Sequence, residues 1–271
     1  MRRSSVNAAT LLKEARRLRR GGRGRYVVPD DPLAFARAVG LSDLDDWQRR
    51  LLRSSEPRVI LNCCRQSGKS TMAAILALHQ ALDEPGSLVL ILAPAERQAK
   101  ELFGKVAESY RALGVPIPAE SYRKLGVELA NRSRIEALPG TEKTIRGFSG
   151  ADLLIVDEAS RVDDALYYAV RPMLAVSGGR MIMLSTPWGK RGVFYEEWQN
   201  GIGWERYEVP ASQCPRIPPA FLEEEAQALG PWWYAQEYEC RFMDTVDQVF
   251  ATEVIDKAIT DEVAPLFGGA A

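Results

Sequence analysis

The sequence predicts an α/β fold, a three-layer sandwich on a mostly parallel central sheet, with a small helical lid after it. Two observations carry the sheet. Short runs apolar at nearly every position recur along the chain, and helix-length segments separate them, as in a sheet covered on both faces. A third observation, the change of pattern after Pro210, carries the lid. At 271 residues the chain holds one sizeable domain and a minor appendage.

Residues 58–62 (RVILN) read as a buried strand, and 70–82 as the helix after it. Residues 87–93 (SLVLILA) form a second strand, followed by a helix over 95–113. Residues 127–130 and 134–138 read as a hairpin around Asn131-Arg132-Ser133. Residues 151–156 (ADLLIV) and 180–185 (RMIMLS) are two further buried strands. Pro215, Pro218 and Pro219 mark a linker, and 221–229 and 232–242 read as the lid helices. The expected organisation is therefore a basic arm (1–26), a core (27–210), a lid and linker (211–247) and a tail (248–271).

Composition narrows the chemistry. Four cysteines without a C-x-x-C pair and one histidine, His79, leave too few ligands for a zinc site and exclude most histidine-dependent triads. No run of about 18 apolar residues occurs, so no membrane partner is expected. Net charge is −1, but residues 1–26 carry nine Lys/Arg against Glu14 alone. A basic arm on an acidic body fits contact with nucleic acid or an acidic partner, or a solvated tail.

The strongest signal is Cys63-Cys64-Arg65-Gln66-Ser67-Gly68-Lys69-Ser70, between a strand and a helix. That context makes it a phosphate loop, because N–H groups at the helix N-terminus then face an anion. Cys63 stands where the pattern G-x-x-x-x-G-K-[ST] has glycine. Lys69 reaches the phosphates, Ser70 holds Mg²⁺, and Thr71 extends the loop. The second half is Leu153-Leu154-Ile155-Val156-Asp157-Glu158, a strand that delivers two acids at its end. Asp157 serves Mg²⁺ and Glu158 polarises the attacking water. Together they predict an ATPase of the P-loop NTPase class, using ATP and Mg²⁺.

These motifs resemble those of phage large terminases. The loop C-C-R-Q-S-G-K-S is similar to that family's variant loop, in which an arginine and a glutamine precede S-G-K-S. The resemblance implies a RecA/ASCE-like core and, for Arg65, a phosphate contact that changes with nucleotide state. Cys64, Gln66, Ser67 and Gly68 complete the nucleotide-binding loop. Asp46-Trp47-Gln48-Arg49 resembles an adenine-recognition motif, with Gln48 offering a donor and an acceptor to one base edge. Leu92-Ala93-Pro94 with Glu96-Arg97-Gln98 resembles the segment after the second motor strand. Leu184-Ser185-Thr186-Pro187-Trp188-Gly189 resembles the coupling motif, implying that Ser185 and Thr186 sense the γ-phosphate. Arg146 lies where terminases place a trans-acting finger. Residues 235–242 resemble the segment that ends the motor.

The family resemblance implies translocation of double-stranded viral DNA into a procapsid. It also implies a homo-oligomeric ring, a pentamer on the portal protein, a small terminase subunit as partner, and the host cell cytoplasm as location. Too few residues follow Phe250 for the family's nuclease domain, so no nuclease activity is expected of this chain. Arg123, Lys124, Arg132 and Arg134 are candidate DNA contacts. Two other readings stay open, a superfamily-two-like remodelling ATPase and a nucleotide-dependent adaptor. If the basic arm binds DNA, deleting residues 1–26 weakens duplex binding and flattens its salt dependence. Fluorescence anisotropy across a salt series checks this, and unchanged affinity at low salt rejects it.

Overall fold

A computed structural model describes residues 28–140 and 147–244. The basic arm, Arg146 and the tail 248–271 lie outside the described residues. Two short helices open the fold, α1 (Pro32–Ala38) and α2 (Asp46–Arg53). Asp31 caps α1 by accepting from the N–H groups of Leu33 and Ala34, and Pro32 takes the first helical position, where its missing N–H costs nothing.

Then come β1 (Arg58–Cys63), α3 (Lys69–Asp83), β2 (Leu88–Ala93) and α4 (Glu96–Ala112). An antiparallel extension follows, β3 (Ala119–Arg123), β4 (Gly126–Leu129) and β5 (Arg134–Pro139). The chain continues through β6 (Leu153–Asp157), α5 (Asp164–Val170), β7 (Arg180–Ser185), α6 (Gly192–Gln199), β8 (Glu205–Val209) and α7 (Pro219–Tyr238). The eight strands form one sheet in the order β3-β4-β5-β2-β6-β7-β1-β8, parallel from β5 to β8.

The strands are buried on both faces, and alternate residues serve separate cores. Val59, Leu61, Val89, Ile91, Leu153, Ile155, Ile182 and Leu184 point into the core that contains α1 to α4. Ile60, Leu90, Leu92, Leu154, Val156, Met181 and Met183 point into the one that contains α5 and α6. This explains why the strand runs read as continuously apolar. In α3, Ala73, Ala74, Ala77 and Ala81 let the helix lie close against its neighbours. It ends at Asp83, because Pro85 holds Glu84 in extended backbone (φ −105°, ψ 102°).

The structure differs from the sequence expectation at the edges. It adds β3 and β8, which no apolar run foreshadows. Both are polar edge strands, and Glu205, Arg206 and Glu208 make β8 read as a loop. The first lid helix breaks at Gly230 (φ 72°, ψ 167°) before Pro231, giving the expected helix pair. The second ends at Tyr238 rather than 242. Cys240 takes φ 60°, and its carbonyl accepts a 2.7 Å hydrogen bond from Asn62 Nδ2 at the end of β1. Ala211, Cys214, Tyr238 and Cys240 are buried in the same core as α3, so the segment after β8 is packed onto the sheet layer.

Gly179 sits where β7 enters the sheet, and a Cβ there would stand 2.0 Å from the Ala151 carbonyl oxygen and 2.9 Å from that of Asp152. Neither backbone atom can swing away. Gly179→Ala is expected to destabilise the chain by about 1–3 kcal/mol. Thermal unfolding checks it, and an unchanged midpoint would show that β7 can shift at no cost.

Candidate nucleotide site

Three adjacent strand ends make the site. β7 lies between β1 and β6, parallel to both, with Asn62 beside Ser185 and Asp157 beside Leu184. Their C-terminal tips thus present the phosphate loop, the Ser185-Thr186 pair and the Asp157-Glu158 pair side by side. In open parallel sheets this is the end at which ligands bind.

The loop is folded without a glycine at Cys63. Only Gln66 (φ 61°) and Gly68 (φ 92°) adopt left-handed backbone within it. Cys63 is the last residue of β1, fully buried and paired with Val209, so a side chain there meets no backbone demand. Gly68 caps α3, whose first N–H groups lack intrahelical partners. Ser70 and Thr71 follow on the first turn and, with Lys69, line a cleft of about 530 Å³.

Lys69 Nζ stands 3.3 Å from Thr186 Oγ1 and 3.5 Å from Glu158 Oε1, so the lysine touches both neighbouring tips. Glu158 itself takes left-handed backbone (φ 50°) and starts a 3₁₀ turn, Ala159–Arg161. Ser160 of that turn donates its N–H to Ser185 Oγ (3.2 Å), and its hydroxyl reaches Ser185 Oγ (2.6 Å) and the Thr186 carbonyl (2.8 Å). The acid tip and the hydroxyl tip are thereby fastened together.

Asp157 is 4% exposed. Burial, and then the adjacent Glu158 charge, push its carboxyl up to about 6, against the pull of Lys69. A cation beside it would reverse that penalty. Ser70 lines the cleft and Asp157 lies buried at the adjacent strand tip, so the two would offer hard oxygen donors of the kind with which Mg²⁺ is held when phosphates and water complete its shell. The residues fit the ion.

Other sequence candidates are placed as follows. Gln48 lies behind the loop, 4% exposed, with Nε2 facing Gly68. Its Oε1 accepts the Asp45 N–H (3.0 Å) in a capping box for α2, so the acceptor is already engaged. Arg65 lines the cleft, and its guanidinium pairs with Glu237 on α7, while its N–H donates to the Glu237 carbonyl (3.1 Å). Cys64 is buried, with Sγ 3.8 Å from Cys214 Sγ. Ser67 is buried, and its carbonyl accepts from Arg216. Arg123 and Lys124 are ion-paired with Glu136 and Glu96.

Sequence reasoning missed several residues. Arg161 and Lys105 line the cleft, and with Arg65, Lys69 and Arg97 they outnumber its carboxylates, Glu101 and Glu158, so the cleft is cationic. Arg216 donates to the Ser67 carbonyl (2.9 Å) and to Asp45 Oδ1 (2.8 Å), bracing the loop from the linker. Arg97 and Glu237 lay within segments singled out by resemblance; nothing local marks Arg161, Lys105 or Arg216, which matter only through contacts distant in sequence.

Comparisons with known proteins bear on the family and the fold. The family model described as "Terminase large subunit, T4likevirus-type, N-terminal" matches residues 60–257. The large terminase subunit of Thermus virus P23-45 is 29% identical over 244 residues, covering 75% of this chain and 50% of that protein. The chain thus spans about half the length of the curated relatives it matches. Among solved structures, the large terminase ATPase domain of Thermus phage P74-26 superposes with a TM-score of 0.70 at 24% identity, covering 80% of this chain and 100% of that one. A large terminase from a thermophilic bacteriophage, in complex with ADP, gives 0.64 at 9% identity, covering 73% and 54%. The fold is that of a P-loop NTPase.

Burying a carboxylate costs stability in the nucleotide-free protein. The Asp157 acid is easier to protonate in the folded chain than in the unfolded one. Its penalty is therefore absent below about pH 4 and full above about pH 6, reaching about 3 kcal/mol. Asp157→Asn keeps an oxygen for the Glu158 N–H and removes the charge. It is expected to raise the melting temperature at about pH 8, with the gap to wild type closing toward pH 4; a lower melting temperature at every pH would refute this account.

Proposed function

The chain belongs to the terminase large-subunit family, and we propose from that premise that it is the ATPase motor that drives double-stranded viral DNA into a procapsid. The observation that carries the enzymatic half is the contact of Lys69 with both Glu158 and Thr186 in a cationic cleft at three strand tips. A large terminase of like fold, from a thermophilic bacteriophage, is described in complex with ADP.

In the resting site Lys69 neutralises Glu158. Phosphates arriving at the α3 N-terminus draw Lys69 onto themselves, with Ser67, Gly68, Ser70 and Thr71 turned around them. Glu158 then loses its counter-charge and becomes free to orient and deprotonate the attacking water. Ser70 and Asp157 would hold Mg²⁺, which would supply neutralisation of phosphate charge there. Arg65 exchanges its Glu237 partner for phosphate oxygens. Arg146 of a neighbouring copy completes charge stabilisation in a ring. Ser185 and Thr186 register the terminal phosphate, and the segment that follows them carries its loss to α7. Gln48 sets the loop from behind and, once its capping bond opens, reads the adenine edge. The portal and a small terminase subunit are the partners of this assembly in the host cytoplasm. Among the described residues no helix is long and apolar enough to cross a membrane.

Phosphate release from ATP across a protein concentration series tests the reading. Lys69→Ala is expected to abolish both binding and turnover. Glu158→Gln lowers turnover roughly 10²–10⁴-fold yet binds ATP more tightly, because it no longer competes for Lys69. Turnover that rises faster than linearly with concentration supports a shared site. Full turnover in Glu158→Gln would remove the proposed base.

A further inference from the structure

Arg161 occupies an unusual position at the cleft. It lines the same cavity as Lys69 and Glu158, and it is exposed, with no carboxylate partner among the described residues. Its guanidinium carbon instead lies 3.9 Å from the centroid of the Trp188 ring. A guanidinium stacked on an indole keeps its N–H fork free in the ring plane, so it can still clasp an oxyanion. Trp188 follows Thr186 by two residues, and its ring packs on Trp233 of α7 at 6.2 Å between centroids. The next residues are fastened to the same region. The Gly189 N–H donates to Gln236 Oε1 (3.3 Å), and Lys190 pairs with Asp244 (3.0 Å).

Arg161 thus stands where the phosphate cleft and the route to α7 meet. Its own turn is rigid, since Ser160 is hydrogen-bonded to Ser185 and to the Thr186 carbonyl. Motion left to Arg161 is therefore motion of its side chain against Trp188. We infer that Arg161 contacts the terminal phosphate of a bound nucleotide and, through its stack on Trp188, sets the position of α7 according to whether that phosphate is present. The inference rests on the nucleotide reading of the cleft and adds a phosphate-contacting residue and a physical route to it.

Calorimetric titration of the full chain with ADP and with the non-hydrolysable β,γ-imido analogue of ATP tests it, alongside hydrogen exchange of residues 219–238. Arg161→Ala is expected to weaken the triphosphate analogue roughly tenfold while changing ADP affinity less than about threefold, as loss of one charge-assisted phosphate contact requires. Arg161→Lys retains charge without the planar fork. It should recover part of the triphosphate affinity but not the triphosphate-dependent change in exchange over 219–238. Equal losses for both nucleotides, or full recovery of both readouts in Arg161→Lys, would overturn the inference. Nucleotide binding by wild type and its loss in Lys69→Ala, with Arg161→Ala behaving as wild type, would remove this inference alone. A wild-type chain that binds neither nucleotide would remove the site reading as well.

Discussion

The placement of β7 between β1 and β6 is the constraint on which the site depends. Lys69, Thr186 and Glu158 come from three stretches that lie far apart in sequence, and none is near another until these strands pair in parallel. The register is fixed by burial on both faces. Slipping β7 by one residue would exchange Ile182 and Leu184 for Met181 and Met183 between two differently shaped cores. It would also carry Ser185 and Thr186 out of line with their neighbours. Packing of the apolar strand bodies thereby sets the geometry of the polar tips to within one residue.

The same geometry brings together groups that repel and groups that attract. Asp157 and Glu158 are adjacent acids at a buried strand end, and burial acts against the first of them. Lys69 is the internal answer, since it lies against Glu158 and lowers the cost at Asp157 as well. The site is thus held by an ion pair, the one that nucleotide replaces in the mechanism we propose. Arg65 and Glu237 repeat the pattern at the other end of the loop.

What could be read from the sequence was what is locally encoded. The strand bodies 58–62, 87–93 and 180–185 were visible because a strand buried twice must be apolar throughout, and the loop because its chemistry is contiguous. The sheet edges were not, since β3 and β8 carry charged residues that suit an edge and resemble a loop. Nor were Gln48's capping bond, the Arg216 brace or the Arg161–Trp188 stack. Each depends on a partner brought close only by the finished fold, and an arginine in isolation reads as a solvated charge. The helix expected to reach 242 stopped at Tyr238 for the same kind of reason, a side chain 178 positions away at Asn62.

The segment after β8 leaves the phosphate loop and comes back to it. On the way out Arg216 grips the Ser67 carbonyl, and on the return Glu237 grips Arg65. A rigid body mounted at two points keeps one freedom, rotation about the line that joins them. The two mounts are only two residues apart on one short loop, so that axis is short and runs along the loop itself. Trp188 and Gly189 meet Trp233 and Gln236 as a third support, and the buried Tyr238 and Cys240, with Asn62 donating to the Cys240 carbonyl, add a fourth on the sheet. The helix pair is therefore a plate tied at the loop, at the strap beyond β7 and at the sheet, so it cannot turn about the loop without breaking contacts at the other two.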